Sequence, residues 1–214
     1  MIRDKGAIFD MDGTLLDSMW VWKQIDIDFL GKRGFEVPDD YLEMITPMGY
    51  QRAAEYTIQR FGLDEKPEDM IAEWYHMAAE AYAEKVTLKP HAKEYLEALR
   101  QSGTRIAAAT SSAYELIAPC LERNQILEYF EAFVTTMEVP RGKEFPDVYL
   151  EAAGRLGIDA NTCIAYEDIY KGICAAKQAG CKTVAVAEDA SAYEAEKIRE
   201  AADYYISDFK ELMK

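Results

Sequence analysis

The feature that most constrains the fold is the alternation of short apolar runs with amphipathic stretches along most of the chain. The apolar runs have the length of buried strands, and Gly or polar turns separate them from helical stretches. The predicted strands are residues 6–10, 105–109, 132–135, 163–166, 183–186 and 204–206. The predicted helices between the later strands are residues 91–101, 114–124, 146–156, 173–179 and 193–201. Strands joined through helices predict an α/β fold, with a mainly parallel sheet covered by helices on both faces.

A long helical stretch interrupts this alternation after the first predicted strand. From about residue 18 to about residue 86, apolar side chains recur at helical spacing, as in Trp22, Ile25 and Phe29. Met70 and Trp74 belong to a second such face. We therefore predict two domains: a Rossmann-like core formed by residues 1–15 and 89–214, and an inserted helical cap formed by residues 16–88.

Charge and composition exclude several classes of partner. The 214 residues include 24 basic and 39 acidic side chains, a net charge of -15. This field repels nucleic acid and anionic membrane surfaces, so we expect neither as a partner. No apolar run approaches the roughly 20 residues of a spanning helix, and no signal peptide is recognised. Four cysteines without CxxC spacing are typical of reduced thiols in a cytoplasmic protein, and a monomer is the default expectation.

Polar side chains follow the predicted strands where those strands end. Ligands of open α/β sheets bind at the carboxyl ends of the strands, so we expect these side chains to converge. They are Asp10, Asp12, Thr110, Ser111, Lys143, Glu167 and Asp168. Converging carboxylates repel one another without a cation, and Mg²⁺ is the hard, oxygen-binding cation that suits them. A phosphoryl group could then bridge the metal and Lys143, which favours phosphoryl transfer through Asp10 with Asp12 as general acid/base.

Four motifs carry a resemblance to a known family. Residues 9–18 read FDMDGTLLDS, residues 109–112 read ATSS, and residues 142–149 read GKEFPDVY. The fourth motif begins at residues 166–168, YED, and ends at residues 179–180, AG. In order and spacing these motifs resemble those of the haloacid dehalogenase-like (HAD) hydrolase superfamily. The helical insert after the first motif is similar to the small cap of its β-phosphoglucomutase-like phosphatases, which implies the same core and cap here.

The resemblance implies roles for the acidic residues. Asp10 would be the nucleophile and a ligand of Mg²⁺, and Asp12 would be the acid/base and give the metal its backbone carbonyl. Glu167 and Asp168 would complete the metal site. The dehalogenase branch lacks the second Asp of the first motif, so Asp12 favours phosphoryl chemistry.

Other residues would contact the substrate. Thr110 would hold the phosphoryl group with Ser111 beside it, and Lys143 would bind phosphate. In the insert, Arg52 follows a turn where related enzymes often contact substrate, although a solvated Arg is an equally good interpretation. Trp22 could line a substrate pocket or belong to the core of the cap.

We therefore expect an Mg²⁺-dependent phosphatase that hydrolyses a small phosphorylated metabolite, such as a sugar phosphate, through an aspartyl-phosphate. A sugar-phosphate mutase is the first alternative, but Trp22 stands where the mutase branch tends to carry His. A catalytically silent metabolite-binding protein is the second alternative, and the complete motif set argues against it. Glu144 and Ile169 replace the Pro and Ser that the family often has at these positions.

Overall fold

The computed structural model of the protein describes residues 5–45 and 48–213. The chain divides into two compact units, Met1–Ser18 with Val86–Lys214, and Met19–Lys85. We call them the sheet unit and the helical unit. That they act as a catalytic core and a cap stays a prediction.

In the described ranges the strands are β1 (Gly6–Phe9), β2 (Leu16–Asp17), β3 (Thr87–Leu88), β4 (Arg105–Thr110), β5 (Ala132–Thr135), β6 (Cys163–Glu167), β7 (Lys182–Val186) and β8 (Tyr204–Ile206). The α-helices of the same ranges are α1 (Trp20–Lys32), α2 (Tyr41–Ile45), α3 (Tyr50–Phe61), α4 (Pro67–Glu84), α5 (Ala92–Gln101), α6 (Tyr114–Arg123), α7 (Asp147–Arg155), α8 (Tyr170–Gln178) and α9 (Ala195–Ala201). Short 3₁₀ segments cover Leu127–Tyr129, Thr136–Glu138, Ala160–Thr162, Asp189–Glu194 and Phe209–Met213.

Six strands form one parallel sheet in the order β5-β4-β1-β6-β7-β8. All four residues of β1 and all five of β6 are buried, which is expected of strands covered on both faces. The predicted parallel α/β fold is confirmed. No helix in residues 5–45 and 48–213 is both long and apolar enough to cross a membrane.

The strand order reverses at β1, and this positions the site. The chain runs from β1 to β4 and β5 on one side, then returns to β6 on the other side. Phe9 pairs with Ala108 of β4 and with Tyr166 of β6, so the residue after β1 emerges between two neighbouring strand ends. This reversal is where open α/β sheets form their ligand crevice.

The helical unit contains α1 to α4, as the helical periodicity predicts. Phe29 of α1 packs edge-on against Trp74 of α4, with ring centroids 5.6 Å apart. Arg33, just after α1, donates to Glu65 at 2.6 Å and to Glu73 at 2.7 Å. It thereby joins the end of α1 to the first half of α4 and to the segment before α4.

Local structure differs from the sequence-based expectations at several points, three of which follow. The short antiparallel pair of β2 with β3 was not predicted, because two-residue strands have no periodicity to read. The helix predicted from residue 91 begins at Ala92, since His91 has the left-handed φ of 56°. The helix predicted over residues 193–201 is a 3₁₀ segment up to Glu194 and α-helical only from Ala195.

Candidate active site

The site is built around Asp10, the first residue after β1. Its backbone N–H donates to the carbonyl of Tyr166 at 3.0 Å, which holds the chain against β6 for one residue beyond the strand. Asp10 is buried, with 5% of its surface exposed. Ionising a carboxyl at such a place is costly unless neighbouring groups compensate for the charge.

A tight turn follows Asp10 and places the Thr14 hydroxyl beside the Asp10 carboxylate. The carbonyl of Met11 accepts the backbone N–H groups of Thr14, Leu15 and Leu16, and Gly13 supplies the left-handed φ of 80° that the turn requires. The Thr14 hydroxyl then lies 3.1 Å from Asp10 Oδ2 and 3.0 Å from Oδ1 of Asp168. Sequence reasoning missed Thr14, although its place directly after the Asp12-Gly13 turn was a usable signal.

Lys143 brings the positive charge of the site. Its ammonium pairs with Asp10 Oδ1 and lies 2.7 Å from Glu167 Oε1, and its side chain is 9% exposed. Burial lowers the pKa of this ammonium, but the Asp10 and Glu167 carboxylates outweigh that effect and hold the pKa above its usual value. Lys143 therefore stays charged across the neutral range.

Glu167, the last residue of β6, has one satisfied and one unsatisfied oxygen. Oε1 accepts the Tyr149 hydroxyl at 2.5 Å in addition to the Lys143 ammonium. Burial, followed by the charge of Glu167, raises the pKa of Tyr149 well above its usual value, so this hydroxyl remains a donor. Oε2 is buried and has no hydrogen-bond partner in the part of the chain that the structure describes.

Gly172 of α8 makes room for this carboxylate. A Cβ at this position would lie 2.5 Å from Glu167 Oε2, well inside van der Waals contact. Any larger residue there would have to displace the carboxylate, so the glycine is required by the close approach.

Three carboxylates meet at this edge of the sheet. One oxygen from each of Asp10, Glu167 and Asp168 lies within 4.8 Å of the others. Burial raises the pKa of Asp10 well above its usual value and that of Asp168 to about 7, and the neighbouring carboxylates add to both shifts. A single ammonium does not balance three buried carboxylates, and Glu167 Oε2 lacks a partner. The donor set therefore fits a hard divalent cation with oxygen ligands.

Asp12 points to different partners. Its Oδ1 accepts the Ser18 hydroxyl at 2.7 Å, and its Oδ2 accepts the Ser112 hydroxyl at 2.5 Å. Its carboxylate is therefore not among the group of three that could share a metal ion. These two short hydrogen bonds, one from the serine after β2 and one from a serine after β4, fix the direction of the Asp12 carboxylate.

The sequence matches the family described as haloacid dehalogenase-like hydrolase over residues 7–186. The chain belongs to this family. The match spans the four motifs and confirms the resemblance on which the expected chemistry was based.

Individual relatives agree with that membership. Hexitol phosphatase A of Escherichia coli (strain K12) is 31% identical over 188 residues, which cover 86% of this chain and 84% of that protein. Hexitol phosphatase B of the same strain is 29% identical over 189 residues, covering 84% and 82%. The crystal structure of a candidate β-phosphoglucomutase from Thermotoga maritima matches with a TM-score of 0.86 at 23% identity, covering 98% of this chain and 96% of that one. The last likeness shows the fold.

The predicted phosphoryl-binding residues of this hydrolase lie at the end of β4. Thr110 is buried, and its hydroxyl accepts the backbone N–H of Ser112 at 3.1 Å. Ser111 is exposed. Their proposed contacts with a phosphoryl group stay predictions.

The two other predicted substrate residues lie in the helical unit. Arg52, near the start of α3, is exposed. Trp22 of α1 is half-buried, with its ring centroid 5.6 Å from that of Tyr50. The role of each in substrate binding stays a prediction.

Proposed function

We propose that this hydrolase is an Mg²⁺-dependent phosphatase that removes the phosphoryl group of a small phosphorylated metabolite through an aspartyl-phosphate on Asp10. One observation carries the proposal. The buried ammonium of Lys143 contacts both Asp10 and Glu167, at the edge where Asp168 also lies. This arrangement can bind an anionic phosphoryl group beside a carboxylate nucleophile, inside a protein whose net charge of -15 otherwise repels anions.

In the first step, an Asp10 carboxylate oxygen attacks phosphorus and the bond from phosphorus to the ester oxygen breaks. Protonated Asp12 gives its proton to the departing oxygen, so the alcohol leaves neutral. Thr14 and Lys143 hold the two Asp10 oxygens, which restricts the rotation of the carboxyl group. The products of this step are the alcohol, the aspartyl-phosphate and ionised Asp12.

In the second step, ionised Asp12 takes a proton from water, and the water oxygen attacks phosphorus. The bond from phosphorus to Asp10 breaks, which releases inorganic phosphate and restores both side chains. The bonds from Ser18 and Ser112 stabilise Asp12 in its ionised form, the base. A serine hydroxyl can also accept a hydrogen bond, so turning one of them lets Asp12 carry the proton that the first step needs.

Asp10, Glu167 and Asp168 would hold the Mg²⁺ ion, and Asp12 would add its backbone carbonyl. The ion would supply positive charge that attracts and polarises the phosphoryl oxygens. Glu167 Oε2 is buried and has no partner among the described residues, and such a cation would supply one.

Sugar and sugar-alcohol phosphates are the first substrates to test, because two relatives with 29–31% identity are named hexitol phosphatases. In this proposal the helical unit serves as the cap that selects the substrate, with Arg52 and Trp22 as contacts.

The test is phosphate release from a panel of hexose and hexitol phosphates, nucleotides and an aryl phosphate, with and without Mg²⁺. Asp10→Asn is the test variant. Asp159→Asn is the matched control, because Asp159 is an exposed carboxyl at the opposite end of the sheet, before β6. We expect Mg²⁺-dependent release from the intact protein and the control, and none from Asp10→Asn.

A second readout identifies the intermediate. Asp12→Asn removes both the acid of the first step and the base of the second step. With the aryl phosphate, whose leaving group departs without a proton, the first step should still occur, so a mass increase of one phosphoryl group should persist on this variant. Absence of phosphate release from every compound would contradict the phosphatase. An isomerisation assay with a bisphosphate primer would then separate the mutase from the silent binding protein.

A further inference from the structure

The helical unit contains a cavity of about 420 Å³ among α1 to α4. We call it the Asp26 cavity. Its wall is mostly apolar and includes Leu42 and Met48, together with three aromatic side chains, Trp22, Tyr50 and Trp74. Two buried polar groups, the Asp26 carboxyl and the Trp74 indole N–H, belong to the residues that line it.

Asp26 is a buried acid among the residues that line this cavity. It lies on α1 and is 8% exposed, and no hydrogen bond or ion pair joins its carboxyl to any other residue in 5–45 or 48–213. Burial raises the pKa of Asp26 to about 7. Placing an unpaired carboxyl in an apolar wall is costly, and packing alone does not explain its presence.

Trp74 carries a hydrogen-bond donor that has no acceptor among the described residues. The residue is 5% exposed, and its indole Nε1 is buried and donates to no acceptor among the described residues. Buried indole N–H groups usually have an acceptor. Two residues of the cavity lining therefore carry a polar group that is not hydrogen-bonded to any described residue.

Lys23 is the cation in the cavity lining, but it does not neutralise Asp26. Its side chain is exposed, and it forms no ion pair with Asp26, three residues further along α1. The charge of Asp26 thus remains available to a ligand.

We propose that the Asp26 cavity binds a small organic molecule that carries a primary ammonium group and an oxygen acceptor. The ammonium would donate to Asp26 in a charge-assisted bond and lie against the aromatic walls. The oxygen would accept the indole N–H of Trp74, which is covered in the free protein, so the Trp74 side chain would turn as the molecule enters. The net charge of -15 attracts such a cation from a distance.

The probes are 6-aminohexan-1-ol and hexane-1,6-diol, which have the same length and differ in one ammonium group. Their binding to the intact protein is measured by calorimetry, so the test does not depend on the phosphatase activity. We expect the amino alcohol to bind at least about tenfold more tightly than the diol, as expected for an ammonium bonded to a buried carboxylate.

Asp26→Asn should remove this preference, and Asp28→Asn is its matched control. Asp28 lies two residues further along α1, is exposed, and accepts a bond from Gln24 at 2.8 Å. The control should keep the full preference. Circular dichroism of both variants shows whether they fold.

A second measurement uses the intact protein and needs no change at Asp26. The indole N–H resonance of Trp74, assigned by its loss in Trp74→Phe, should shift when 6-aminohexan-1-ol is added. It should shift less with hexylammonium, which has no oxygen acceptor. Equal binding of amino alcohol and diol, binding of neither at about 10 mM, or an unmoved Trp74 resonance would each overturn the proposal.

Discussion

Two regions of this chain bury carboxyl groups, and they balance the cost in different ways. At the carboxyl ends of β1 and β6, three acids lie together: Lys143 pairs with two of them, Asp10 and Glu167, and the hydroxyls of Thr14 and Tyr149 donate bonds to the cluster. On α1, Asp26 is buried without a partner among the described residues. The first region carries fixed charges arranged for chemistry on an anion. In the second region, the charge of the Asp26 carboxyl can be compensated by protonation or by a ligand.

Removing the compensation from the first region should have the largest effect. Lys143→Met leaves Asp10 and Glu167 buried without their ammonium, and breaking such a pair costs about 3–5 kcal/mol of the free energy of unfolding. Phosphate release should fall by about 10²–10³-fold, as when an electrostatic donor is lost. Thermal denaturation and release assays measure the two losses.

Lys171→Met is the control for this change, because Lys171 is exposed and lies three residues after Asp168. Both quantities should stay near the parent value in the control. A Lys143→Met protein with normal stability would mean that the cluster does not depend on this ammonium.

In the second region, removing the charged group should stabilise the folded chain, whereas removing the Lys143 ammonium from the first region destabilises it. The folded-state pKa of Asp26 is raised to about 7, above the ordinary value of about 3.9. As the pH rises from about 4 to 7, the unfolded chain releases this proton and the folded chain retains it, so stability falls. Above pH 7 the penalty reaches at most about 4 kcal/mol.

Asp26→Asn removes that pH dependence. Its melting temperature should exceed that of the parent by more at pH 8 than at pH 5, whereas Asp28→Asn should show no such difference. A constant offset between the Asp26→Asn variant and the parent at both pH values would mean that Asp26 titrates normally.

Binding of the proposed Mg²⁺ ion is a third way to change the charge balance, and it acts on the first region. Mg²⁺ at about 100 times its dissociation constant should stabilise the folded chain by about 2.7 kcal/mol. Removing it with a chelator should reverse the rise in melting temperature. Glu167→Gln should weaken the response, and Glu131→Gln, an exposed control paired with Arg105, should keep it. A response unchanged in Glu167→Gln would place the ion elsewhere.

The sequence allowed the first region to be anticipated better than the second. Asp10, Lys143, Glu167 and Asp168 follow strands or lie in connections, and the ends of parallel strands meet at one edge, so their convergence followed from strand order. Tyr149 escaped prediction because its hydroxyl reaches Glu167 only through the packing of α7 on the sheet.

Asp26 escaped prediction for a different reason. An acid on a helix is usually solvated, yet Asp26 lies four residues after Trp22 and three before Phe29, on the apolar face that those residues mark. That spacing was a usable signal. The missing partner could not be inferred, because it depends on how α1 to α4 pack.

The smallest expected effect comes from removing one hydrogen bond in the first region without changing any charge. Tyr149→Phe keeps the ring and removes the hydroxyl that lies 2.5 Å from Glu167 Oε1. That oxygen keeps its contact with Lys143, so we expect a loss of about 1.5 kcal/mol, the lower end for a bond to a charged group. Tyr193→Phe is the control, since Tyr193 is 83% exposed. Mg²⁺ should stabilise Tyr149→Phe by as much as it does the parent, because no charge has changed. A loss as large as that of Lys143→Met would mean that the hydroxyl, rather than the ammonium, holds Glu167 in place.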